Sequence, residues 1–258
     1  MNNRRFDRTE RLVGPSGMER LQNARVIVFG VGGVGSWAAE ALARTGVGHL
    51  TLVDADTVAE TNVNRQAEAT AATVGEVKVQ AMSRRLLEIN PDISLELVDG
   101  RYTADTADGF DLDSFDFIID AIDSLADKAL LLLNAAAARR PGIASSMGAA
   151  LRLDASRVAV AEFWKVKGCP LAAALRSRFR RSGMKPRRKI KCVYSDEPAM
   201  KNLGADTAPD GTMTYGKVAV NGSLCHITAT FGMNLAGLAI AHILHSATTA
   251  AESESAES

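Results

Sequence analysis

Between Arg25 and Thr45 the chain reads RVIVF, then GVGGVG, then SWAAEALART, and this passage constrains the fold more than any other. A short β-branched and aromatic run ending directly in glycine has the composition of a strand buried on both faces. The residues after the loop have helical spacing and stop at Gly46, as a helix with a glycine C-cap does. Glycines at such a junction allow a tight turn and close backbone approach, and the start of the helix offers free N–H groups to a phosphate. Gly30, Gly32 and Gly35 satisfy the pattern GxGxxG, with Gly33 and Ser36 completing the loop. Asp54 ends the next β-like run, His49 to Asp54, 19 residues after Gly35, near the spacing expected of an acid on a ribose. This pattern alone leaves a dinucleotide and ATP both open. The plainer readings are an ordinary βα turn and a strand-end carboxylate.

The alternation continues. A helix is expected over Val77 to Ile89, a stop at Asn90-Pro91, a strand over Ser94 to Val98, another over Phe115 to Asp120, and an alanine- and leucine-rich helix over Ser124 to Arg139. Repeated βα units of this kind predict an α/β fold, a Rossmann-like doubly wound, mostly parallel sheet. Beyond it come expected strands at Gly142 to Gly148, Arg157 to Glu162 and Lys189 to Tyr194, and a basic helix at Pro170 to Arg181. A long polar connection follows over Ser195 to Tyr215, and then an apolar helix, His226 to His245. The expected organisation is a helical segment at 1–24, a nucleotide-binding core at 25–150, a C-terminal α/β extension at 151–245 and a disordered acidic tail at 246–258. Gly232 and Gly237 inside the last helix point to packing against the sheet or a partner subunit rather than to a membrane span.

After the second strand the chain reads DADTVAETNVNRQ, with Lys78 opening the following helix and DAIDS after the fourth strand. The carboxyl ends of parallel strands converge on one crevice, so Arg65, Lys78 and Asp123 can face a ligand over the glycine loop. Two cations and one acid suit a triphosphate with Mg2+: the cations neutralise the leaving pyrophosphate and Asp123 holds the metal. Each also has a plainer reading: a surface pair for Arg65, a solvated helix residue for Lys78 and an N-cap for Asp123.

The chain carries 30 Lys+Arg and 30 Asp+Glu, yet the charge is uneven. Lys165 to Lys191 holds eleven Lys/Arg and no acid, which suggests a polyanionic partner or a solvated helix face. Arg180, Arg181, Arg187 and Arg188 are the candidate RNA contacts. Cys169, Cys192 and Cys225 are too far apart for CxxC zinc pairs or an obvious disulfide set, and a lone Cys among apolar residues is most often a small buried hydrophobe. The start, MNNRRFDRTER, is too charged for a secretory apolar region, so the expectation is a cytoplasmic protein without a membrane partner. Aromatic residues form only 5% of the chain, so RNA affinity must come from the phosphate backbone and depend strongly on salt.

The stretches RVIVFGVGGVGSWAAEALARTGVGHLTLVD, DADTVAETNVNRQ, TVGEVK, INP and DAIDS together resemble the adenylating enzymes related to ubiquitin-activating enzyme, the superfamily of the MoeB and ThiF proteins. RFDRTERLVG, PLAAALR, KCVYSDE and TATFG extend the likeness through nearly the whole chain, toward the branch that dehydrates threonylcarbamoyladenosine in tRNA. The resemblance implies that Gly30 to Ser36, Asp54 and Asp56 hold the adenosine half of ATP, that Asn62, Arg65 and Lys78 contact phosphates, and that Asp123 binds Mg2+. It also implies a homodimer in which Arg8, or its neighbour Arg5 or Arg11, reaches the partner's site. The implied reaction is adenylation of a carboxylate followed by ring closure. The absence of CxxC pairs argues against the sulfur-carrier branch, whose substrate is the C-terminal glycine of a ubiquitin-like protein; a sulfur-transfer partner stays open. The glycine loop taken by itself is also compatible with an NAD-linked oxidoreductase or a catalytically silent nucleotide-binding scaffold.

Overall fold

The computed structural model describes residues 4–203 and 221–245. A single seven-stranded sheet organises it: β1 (Arg25–Phe29), β2 (His49–Asp54), β3 (Ser94–Asp99), β4 (Phe117–Asp120), β5 (Gly142–Ser146), β6 (Val158–Glu162) and β7 (Lys191–Ser195). The order across the sheet is β3-β2-β1-β4-β5-β7-β6. Every neighbouring pair is parallel except the edge pair β6–β7. The expected α/β, mostly parallel architecture is therefore present. β5 pairs directly with β7, so the sheet runs unbroken from the first half of the chain into the second.

β1 explains why the sheet is covered on both faces. Val26 and Val28 enter the core beneath α2 (Gly35–Thr45), α3 (Lys78–Ile89) and α6 (Cys225–His245). Ile27 and Phe29 enter the opposite core with α4 (Leu125–Ala137) and α5 (Pro170–Ser182). Full burial of each of these side chains stabilises the fold by roughly 1.5–3 kcal/mol. α6 lies against α2, β4 and β5 and buries Ile227, Phe231, Leu235 and Ala239. Its apolar composition thus reflects, on that side, packing on the core.

The first helix, α1 (Asp7–Asn23), contains Gly14-Pro15 and passes through it as a kink with Gly14 at φ +73°. Other elements differ from expectation by a few residues at their ends. The acidic tail and residues 204–215 of the polar connection lie outside the described residues.

Candidate active site

The strand order turns at β1: β2 and β3 follow on one side, β4 and β5 on the other. A crevice opens where the order reverses, above the carboxyl ends of β1 and β4. The glycine loop lies there. Gly30 takes φ +87°, and a Cβ on it would lie 2.8 Å from the Ala121 carbonyl oxygen; one on Gly35 would lie 1.8 Å from the Gly30 carbonyl oxygen. Only glycine fits either place. Asp54 buttresses the loop from β2, its Oδ2 accepting from Val31 N at 2.7 Å and its Oδ1 from Asp56 N at 2.9 Å. Burial raises the Asp54 carboxyl above its ordinary value, against the pull of Lys78.

Lys78 opens α3 and is buried, with Nζ 3.1 Å from Asp56 Oδ2; Arg101 stands 3.4 Å from the other Asp56 oxygen. Burial opposes ionisation of Asp56, but Lys78 and then Arg101 outweigh it and hold the carboxyl below its usual range. Asp56 thus occupies the Lys78 ammonium, and a phosphate would have to compete with it.

Arg65 is held in place through both its main chain and its side chain. Its carbonyl accepts from Trp37 Nε1 at 3.0 Å and Thr228 Oγ1 at 3.3 Å. Its guanidinium donates to Thr61 O and Asn64 Oδ1 at 2.8 and 2.9 Å. Burial weakens its hold on the proton, with Glu68 and Asp123 acting the other way. Asp123 is exposed beyond β4 and acts on the Arg65 proton from there. Asn62 Oδ1 accepts from Ala59 N at 3.0 Å, so a ligand contact from Asn62 must come from the NH2 end. Ser36, fully buried at the second position of α2, accepts from Ala67 N at 3.0 Å and ties the segment of Arg65 to the loop.

Two features went unread in the sequence. Glu68 is 2% exposed, and burial pushes its pKa up to about 7 against the pull of its own backbone N–H, Lys78 and the Ser36 hydroxyl. Lys128 and Asp120 form an ion pair at 2.8 Å with no exposure on either side chain. Glu68 lies in a polar loop that reads as solvated, and a buried lysine runs against composition; no local pattern marks either.

The other expected residues lie apart from the crevice. Arg8 is exposed on α1, which with Phe6 just before it packs through Met18 and Gln22 against Gly46 and Gly48 before β2 begins, the end of the sheet opposite the site. Arg180, Arg181 and Arg187 are exposed. Arg188 is tied to the fold: its guanidinium donates to the carbonyls of Ala135, Ala136 and Pro141 at 2.8, 3.3 and 2.9 Å. It caps the carboxyl end of α4, where exposed carbonyls attract a cation. Arg176 is similarly tied to Phe163 O and Val166 O. Cys169 and Cys192 are buried, and burial pushes the Cys192 thiol up, so it is the reverse of an activated nucleophile.

A glycine loop at a topological switch point, bonded by Asp54 and with Arg65 beside Gly33, is the arrangement of an α/β nucleotide-binding protein. Comparison with known proteins narrows the class. The chain belongs to the ThiF family, whose profile matches residues 6–257. It is 42% identical over 210 residues to the tRNA threonylcarbamoyladenosine dehydratase of Bacillus subtilis, covering 79% of this chain and 82% of that protein. It is 34% identical over 256 residues to the protein of the same name from Escherichia coli, covering 93% and 92%. The crystal structure of the E. coli dehydratase TcdA in complex with ATP superposes with a TM-score of 0.83 at 34% identity, over 95% of this chain and 96% of that one. The complex of TcdA with AMP gives 0.84 at the same identity and coverage.

Proposed function

We propose that this chain is an ATP-dependent tRNA threonylcarbamoyladenosine dehydratase. It adenylates the carboxylate of the modified nucleoside next to the anticodon and closes it into a ring. The observation that carries the reading is the glycine loop Gly30–Ser36 at the switch point, with Asp54 bonded to Val31 N and Arg65 beside Gly33, in a chain that matches bacterial dehydratases along most of its length; Arg65, Lys78 and Asp123 are the residues this reading assigns to the triphosphate and its metal.

A carboxylate is a poor electrophile until one of its oxygens can depart. In the first step that oxygen attacks the α-phosphorus of ATP and pyrophosphate leaves. Charge builds on the departing phosphates, and Lys78, released from Asp56, and Arg65 neutralise it in a site already built to hold cations. An internal nucleophile of the nucleoside then attacks the activated carbon and AMP departs with the carboxylate oxygen. The balance is loss of one water from the nucleoside against conversion of ATP to AMP and pyrophosphate. Gly30, Gly32, Gly33, Gly35 and Ser36 cradle the nucleotide, and Asp54 faces its ribose.

Asp123 suits Mg2+ in one respect. Among the described residues there is no cluster of three metal-ligating side chains. A single carboxylate fits an ion that arrives on the triphosphate, since magnesium is commonly held by one or two carboxylates plus phosphates. Its chemistry would be to draw charge from the bridging phosphate oxygens.

Exposed Arg180, Arg181 and Arg187, at the end of α5 and just beyond it, contact the tRNA backbone in this account. A homodimer is supported by exposed apolar residues of α1 and α6: Leu12 is 87% and Met233 45% exposed, and Leu12 lines a mixed groove with Arg8, Val13, Arg20, Ile240 and Leu244. Covering it with a second copy would place Arg8 at an interface, as its action in the partner's site requires. The enzyme works in the cytoplasm, where its tRNA is.

The test is incubation with Mg-ATP and tRNA carrying threonylcarbamoyladenosine, then gentle nucleoside digestion and mass spectrometry. ATP-dependent loss of one water, absent with Asp123→Ala, is expected. An unchanged nucleoside with continued ATP consumption would move the search to a protein carboxyl terminus as the substrate.

A further inference from the structure

The loop that carries Asp123 is held by a charge pair that solvent does not reach. Asp120 is the last residue of β4 and Lys128 lies in the first turn of α4; both side chains are fully buried, with Nζ 2.8 Å from Asp120 Oδ2. Asp120 Oδ1 accepts from Ile122 N at 3.1 Å, Ser145 Oγ donates to Oδ2 at 2.6 Å, and Lys128 Nζ donates to Ile122 O at 2.9 Å. The main chain of Ile122 is thus gripped at its N–H by the acid and at its C=O by the base. The next residue is Asp123. The same loop abuts the phosphate cradle, because a Cβ on Gly30 would meet Ala121 O at 2.8 Å and one on Gly35 would meet Ala121 Cβ at 3.3 Å.

Stability does not explain the pair. Removing both charges from water costs several kcal/mol per ion, and well-packed apolar replacements are often as stable or more so. A cation in the first turn of a helix also opposes the macrodipole. What the pair supplies is geometry: two polar contacts hold the main chain of Ile122 at the lip of the site, and two more hold the acid and the base that make them.

We propose that Lys128 and Asp120 are positioning residues, which fix the Ala121–Asp123 main chain so that the Asp123 carboxylate meets the metal-bound phosphates over the glycine loop. This rests on the reading of Asp123 as the metal-holding acid. Supporting groups of this kind typically contribute 10–100-fold to metal affinity.

The experiment measures ATP affinity by calorimetry, in Mg2+ and in EDTA, alongside a thermal melt. The double variant Asp120→Asn/Lys128→Met removes both charges together and keeps an oxygen for the Ile122 N–H. It is expected to melt cooperatively and to bind ATP in EDTA as the parent does, while the tightening produced by Mg2+ falls about ten-fold or more. Ser145→Ala removes one hydrogen bond without exposing a charge; it is expected to reduce that tightening about three-fold, and it decides the matter should the double variant fail to fold. A folded variant with the parent's full Mg2+-dependent tightening overturns the proposal. Asp123→Ala separates the two layers: if it too leaves the tightening intact, the metal-holding role itself is wrong. If it abolishes the tightening while the charge-free variants retain it, only the positioning role fails.

Discussion

Glu68→Gln removes a buried ionisable group at nearly constant shape. The Glu68 carboxyl is 2% exposed and has a pKa raised from 4.5 to about 7, chiefly by burial. A raised acid binds its proton more tightly in the folded state. Its contribution is therefore whole below the unfolded pKa of 4.5 and is lost as pH climbs to about 7. At about 1.4 kcal/mol per pKa unit, the loss between pH 5 and pH 8 is about 2.5 kcal/mol. Glutamine cannot ionise and escapes that loss. Urea denaturation of parent and variant at pH 5, 6, 7 and 8 reads the difference directly. The variant's advantage should grow by about 2.5 kcal/mol across the range and level off above pH 7 to 8. A difference that stays flat with pH would refute the argument, because it would mean that Glu68 ionises in the fold as readily as in the unfolded chain.

Lys78→Ala should reduce ATP turnover by at least about 100-fold while leaving NAD affinity, measured by calorimetry, no higher than the parent's, which also separates the adenylating reading from an oxidoreductase. Arg180→Glu, Arg181→Glu and Arg187→Glu together should weaken tRNA binding and, in a filter assay across salt, lower the slope of log affinity against log salt by about 2 to 3; ATP binding should be unchanged. Arg188→Ala should cost about 1.5–3 kcal/mol in urea denaturation, because three carbonyls lose a charged donor, and should leave the salt slope of tRNA binding untouched.

The parts of the fold legible in the sequence are those with strong local signals. RVIVF is buried on both faces because the chain alternates between two cores, and such a strand must be apolar throughout. The glycine loop is legible because steric demand is absolute at Gly30 and Gly35. Arg65, Lys78 and Asp123 can be named because each stands just beyond a strand or opens a helix, where topology alone brings it to the crevice. Long-range partners are not legible. Arg188 lies 53 residues from the Ala135 carbonyl it caps, and in sequence it is one more cation in a basic run. Lys128 gives no sign of burial, since its partner Asp120 looks like the end of a strand. Gly14-Pro15, a pair that would end most helices, is a kink within one here, which a glycine at positive φ and a proline opening the next turn both permit.

The central claim is that the nucleoside's own carboxylate is adenylated. Carrying 18O in that carboxylate into a single turnover with Mg-ATP and following the label by mass spectrometry tests it most directly. Adenylation transfers one labelled oxygen to AMP and leaves pyrophosphate unlabelled. Label found in inorganic phosphate, with ADP as the other product, or AMP formed without label, would contradict the account.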